Sequence, residues 1–224
     1  ASYAVDRFQA SAGEAGLVMC TFPRDDWDFN RAKGGAARPP GFAGYFNECM
    51  TGFEYQAAAH MIYEGLVMEG LAIARAVHDR YAPERRNPYN EIECGDHYAR
   101  AMSSYSLLLA LSGFEYDGPS GLLGFAPRLS PEEFRCPFTG AEGWGTFSQR
   151  RKGDGWTATL SVREGRLRIT ELRLALSLAG PISCEVSGRS IPSDVVGLGK
   201  ERIAVRWPRP VELSAGQTLT VRCE

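Results

Sequence analysis

The densest collection of chemically capable side chains lies in residues 87–100, NPYNEIECGDHYAR, which hold three carboxylates, an imidazole, a guanidinium, amides and aromatics on a loop that enters a helix. Planar hydrogen-bonding groups beside an aromatic suit a sugar. Each hydroxyl both donates and accepts, and the apolar face of the ring seeks an aromatic surface. The same residues also have ordinary structural uses: Asp96 as a helix cap, His97 against a carbonyl, and Arg100 bridging to Glu91 or Glu93. On the residues alone both uses stay open. Residues 46–56, FNECMTGFEYQ, form a second polar and aromatic cluster, and residues 141–149, AEGWGTFSQ, a third, in which glycines flank an aromatic where backbone passes close to another surface.

Other chemistries find less support. Paired carboxylates for glycoside hydrolysis need a fixed separation of about 5–5.5 Å in retaining enzymes, and Glu91 with Glu93 is a poor match to that need. There is no GxSxG elbow for a serine nucleophile, and His60, His78 and His97 lie on or beside helices. Neither GxGxxG nor GxxxxGKS/T occurs, so no phosphate cradle is expected. The six cysteines are widely spread without a CxxC pair, which argues against a metal site and for free thiols.

The elements that must position these residues follow from periodicity. Apolar residues recur at helical spacing through residues 51–80, and Thr51 with Glu54 fits a capping box, predicting one long helix buried on most sides. A second helix runs from Asp96 to Ser112 and ends at Gly113. The irregular connection between them exceeds what packing requires, as loops that line a site do. A short helix is expected after Ser130-Pro131. From Trp156 the period becomes two, predicting strands over 157–162, 166–176, 182–186, 203–207 and 217–223, with a bulge near Thr170-Glu171 where the alternation slips.

The chain has 224 residues, enough for a sizeable core, and 25 basic against 27 acidic residues leave a net charge of −2. This balance removes a general drive toward nucleic acid. The longest apolar run, residues 106–111, is far too short to span a bilayer, and no leader precedes Ala1, so a cytoplasmic location is expected.

The runs TGFEYQAAAHMIYEGLVMEGLAIARAVHDRY, RRNPYNEIECGDHYARAMSSYSLLLALSGFEYDGP, GFAPRLSPEEF and AEGWGTFSQ resemble the C-terminal part of glycoside hydrolase family 116. That family includes the non-lysosomal, bile-acid β-glucosidase (glucosylceramidase) type and bacterial β-glucosidases and β-xylosidases. The resemblance covers about residues 46–149. It implies the last helical hairpins of an (α/α)6 barrel over 1–150; with the small antiparallel β-rich extension over 151–224 that the alternation predicts and the resemblance does not cover, the expected class is α+β. It further implies a retaining, exo-acting glycosidase without metal or cofactor, acting on a β-glucoside or β-xyloside together with the rest of its barrel. Glu91 and Arg100 match residues that hydrogen-bond the sugar in the glycone subsite, with Glu48, Thr51, Glu93 and His97 as further substrate-binding candidates. The family's nucleophile and acid/base have no match here, so the isolated chain is expected to be inactive. The alternative is a non-catalytic carbohydrate-binding or structural module.

Overall fold

The computed structural model describes residues 16–17, 49–85, 87–89, 91, 100–176, 180–199 and 201–223. The chain divides into two compact units, residues 1–107 and 108–224. Of the described residues 45% are strand and 24% helix. The expected partial (α/α)6 barrel is therefore overturned: the described architecture is chiefly a mixed ten-stranded sheet with short helices.

In the first unit, the region read as one long helix is two, α1 (Thr51–Tyr63) and α2 (Val67–Arg80). Gly65 adopts φ +88°, and its N–H donates to the Ile62 carbonyl while that of Leu66 reaches Met61 at 2.8 Å. These are the two bonds of a helix C-cap built on a left-handed residue, which glycine adopts at least cost. The apolar periodicity continues across the break, which is why the sequence reads as one helix. Phe53, Tyr63, Leu66 and Met68 are exposed, contrary to the expectation of burial on most sides. Arg100 is followed by a 3-10 turn, Ala101–Ser104. Helix α3 (Tyr105–Ser112) then ends at Gly113, as expected.

The second unit is built around the twenty-residue strand β5 (Gly155–Leu174). Its first half pairs antiparallel with β4 (Gly143–Lys152) on one edge and β10 (Thr218–Cys223) on the other. Strand β3 (Glu133–Thr139) extends this face beyond β4, and β6 (Ile182–Val186) with β7 (Arg189–Ser190) extends it beyond β10. The second half of β5 pairs antiparallel with β9 (Ile203–Ser214) and parallel with β2 (Leu122–Phe125). Strands β8 (Asp194–Gly197) and β1 (Glu115–Asp117) pair onto β9 and β2 in turn.

The Glu164-Gly165 pair, read from sequence as a turn between strands, is instead where β5 passes from one face to the other. Gly165 has φ +73°, and the register with β4 shifts beside it. The bulge expected near Thr170-Glu171 is present as a register shift between Ile169 and Glu171. No helix follows Ser130-Pro131; that segment enters β3. Pro137 sits within β3, which the pairing through β4 alone leaves as an edge, where a missing N–H is tolerated.

Alternate residues of both faces meet in one apolar core. Phe125 of β2 stacks on Phe147 of β4 with ring centroids 3.9 Å apart and planes within 4°, and Phe138 meets Phe125 edge-on at 6.2 Å. Cys136, Cys184 and Cys223 are buried free thiols in this core, and Cys49 is a buried free thiol in the first unit. Desolvation pushes the Cys136 thiol up to about 12, so it stays protonated. Replacing Phe147 by Ala should remove about 3–5 kcal/mol of stability. Urea denaturation should read this as a lower midpoint with an unchanged slope, and a loss under about 1 kcal/mol would mean that the stack is not the centre of the core.

Candidate functional site

Glu54 and Arg80 lie twenty-six positions apart, and no local pattern couples them. The turn at Gly65 folds α2 back along α1, bringing the end of α2 to the first turn of α1. There Arg80 Nη1 donates to Glu54 Oε1 at 3.1 Å and Nη2 donates to Oε2, with both side chains 1% exposed. The Leu17 N–H donates to the same Oε1 at 2.9 Å. Burial alone would push the Arg80 guanidinium down, but the hydrogen bonds and charge of Glu54 hold it above its ordinary value. Glu54 therefore does not close a capping box: the N-cap residue is Met50, and no side chain caps α1. A buried charge outcompeted a surface cap.

The remaining groups gather around this pair. Thr51 is buried, and its hydroxyl lies 3.2 Å from the Tyr81 phenol oxygen. Tyr55 is pushed up by burial first and by the Glu54 charge second. Glu91 is 7% exposed; its Oε1 accepts the Arg100 N–H at 3.1 Å, and its buried Oε2 has no hydrogen-bond partner among the described residues. Desolvation raises the Glu91 carboxyl above its ordinary value. The Arg100 N–H, the Thr51 hydroxyl and the charges of Arg80 and Arg100 oppose the shift without cancelling it. The Arg100 side chain crosses the start of α1, where a Cβ on Gly52 would come within 2.6 Å of its Cδ, and its guanidinium lies 5.6 Å from the centre of the Phe53 ring.

The structure thus brings Thr51, Glu91 and Arg100 together at the first turn of α1. Glu48, Glu93 and His97 lie outside the described residues. The sequence reading missed Glu54 and Arg80 as the organising pair, and Tyr81 with them. The only available signal was an arginine on a helix otherwise apolar toward its partner, which is ambiguous without the fold. Among the described residues no cluster of His, Cys, Asp and Glu could hold a metal ion. Among the described residues no helix is long and apolar enough to cross a membrane.

No family model matches the sequence, and no curated protein matches it. Among solved structures, the chain is similar to an α-L-rhamnosidase from Dictyoglumus thermophilum, with 8% identity over 58% of this chain and a TM-score of 0.33. It is also similar to the Streptomyces avermitilis α-L-rhamnosidase complexed with L-rhamnose, with 14% identity over 67% of this chain and a TM-score of 0.34. The matched region spans 14% of the length of each of those chains.

Removing Arg80 alone would strand a buried carboxylate, so Arg80→Met should cost about 3–5 kcal/mol, whereas Arg80→Met with Glu54→Leu should recover most of that loss. Equal losses in the single and double variants, read by thermal or urea unfolding, would show that the pair is not coupled. The raised Glu91 carboxyl makes the folded chain hold that proton more tightly than the unfolded chain does. Its stabilising contribution is complete below the unfolded value of about 4.3 and is lost as pH rises through the folded value. Glu91→Gln should therefore flatten the decline in stability over that window, and a pH profile parallel to that of the parent chain would refute the assignment.

Proposed function

We propose that this chain is the C-terminal part of a β-glycosidase, supplying Glu91 and Arg100 as groups that bind the sugar at the glycone position. The family-like string around residues 87–100 and the meeting of Glu91 with Arg100 at the start of α1 support this reading. The observation that carries it is the Glu91 Oε2, a buried acceptor beside the Arg100 chain with no hydrogen-bond partner among the described residues. An orphaned carboxylate oxygen costs free energy that a donating sugar hydroxyl would recover. The Arg100 guanidinium supplies donors in a fixed fork to an adjacent hydroxyl, and Phe53 beside it offers an apolar face to a ring.

Thr51 is part of the same proposal, as a hydroxyl that positions Glu91. Glu48, Glu93 and His97 are proposed as neighbours of the sugar on their place in the string alone. The nucleophile and the general acid would come from other segments of a longer enzyme. Met68 at 71% and Met102 at 90% exposure, with Leu66, fit helices that a larger catalytic domain covers. A glucoside or xyloside is the proposed substrate. The second reading, a sugar-binding module that does not cleave, keeps the same residues and differs in having no catalytic partner segments.

Titration of the chain with methyl β-D-glucoside and methyl β-D-xyloside, followed by NMR, should shift the Gly52 and Phe53 amides. Glu91→Gln and Arg100→Met should each weaken that binding by about tenfold to a hundredfold, the worth of one charged hydrogen bond. Unchanged affinity in both variants would remove these residues from the site. The chain alone should release no nitrophenol from nitrophenyl β-glucoside, because a positioned nucleophile and general acid are both needed; turnover that survives purification and co-elutes with the chain would overturn this.

A further inference from the structure

The outward face of the sheet has a composition that the glycone reading does not use. Strand alternation sends Phe147, Ala158, Leu160 and Val162 into the core, and it turns Thr146 and Ser148 of β4 and Thr157, Thr159 and Ser161 of β5 outward. The pairing lines these up across strands: Arg135 stands opposite Ser148 and Ser148 opposite Thr159, while Thr146 stands opposite Ser161. A groove of about 670 Å³ follows them, with Arg150 at one end and Arg163 at the other. From Thr157 to Arg163 this is seven residues of extended strand, about 20 Å between the end positions.

Charge and aromatic placement select the occupant. Arg150 is paired with Glu133 at 2.7 Å, whereas the exposed Arg135 and Arg163 have no carboxylate partner among the described residues. Two unpaired guanidinium forks are complementary to carboxylates carried by the ligand. The hydroxyls between them donate and accept as sugar hydroxyls do. Trp144, 45% exposed, lies on the same face of β4 two residues from Thr146, and it presents an aromatic surface to a sugar ring. A net charge of −2 gives no broad field for a polyphosphate.

We propose that the outward groove of β3, β4 and β5 binds an extended, uronate-bearing oligosaccharide, with Arg135 and Arg163 on its carboxylates and the hydroxyl rows along its chain. Neither Glu91 nor Arg100 lines this groove.

Calorimetric titration of the 224-residue chain with an oligogalacturonate hexamer tests the proposal. Binding is expected, with a neutral xylo-oligosaccharide hexamer at least about tenfold weaker and affinity falling as salt rises. Arg135→Gln with Arg163→Gln should weaken binding by about tenfold or more while leaving the thermal transition unchanged, since both side chains are exposed. Thr159→Val keeps the shape and should weaken binding severalfold. Glu91→Gln should leave it untouched, which separates this site from the glycone reading. The proposal fails on any of four results: no binding of the acidic hexamer, equal affinity for the neutral one, unchanged affinity in the double arginine variant, or tighter binding of a thymidylate hexamer.

Discussion

A guanidinium withdrawn from water has to be met where it lies by an opposite charge, and in the first unit this requirement falls on Arg80. Its partner, Glu54, comes from the opening turn of the preceding helix, so the ion pair exists only if α2 folds back along α1. That return is made by Gly65. With Glu54 committed to Arg80, Glu91 is left with one backbone N–H, the Thr51 hydroxyl and the charges of the two arginines, too little to offset its burial. The pair that holds the hairpin closed thus leaves a second carboxyl under-satisfied beside it. An unfilled acceptor of that kind calls for an explanation that a completed network does not.

The second unit depends on a different constraint, the continuity of β5. A strand of twenty residues would project from a flat sheet; here Gly165 and the shifted register turn it, so that it serves both faces of the core. Because each half has partners on both edges, the strand most exposed to mispairing is protected along its length. The inward side chains of its two halves then face each other, and the aromatic stack of Phe125 on Phe147 fills the space between them.

Much of this was legible. The strands after Trp156, the slip at Thr170, the stop at Gly113 and the free thiols of the described cysteines Cys49, Cys136, Cys184 and Cys223 follow from alternation, glycine chemistry and cysteine spacing. The strands between Glu115 and Lys152 did not emerge, although Phe134, Cys136 and Phe138 alternate correctly. Pro137 lies among them and suggests a break, and β4 places Gly145 and Gln149 at inward positions where apolar residues are expected. A family-level expectation of helix over the same residues outweighed a weak period of two.

At the candidate site the division is sharper. Side-chain types pointed to two short loops that suit sugar hydroxyls, because type and spacing are local properties, and the family resemblance then singled out Glu91 and Arg100 in them, with Thr51 as a further candidate. Neither could indicate that Thr51 and Glu54 would abandon a capping box, that Arg80 would claim Glu54 across twenty-six positions, or that Glu91 would be left with an unpartnered oxygen. Those outcomes turn on which charges lose their water together. Desolvation is set by packing between segments distant in the chain, and only the tertiary structure decides it.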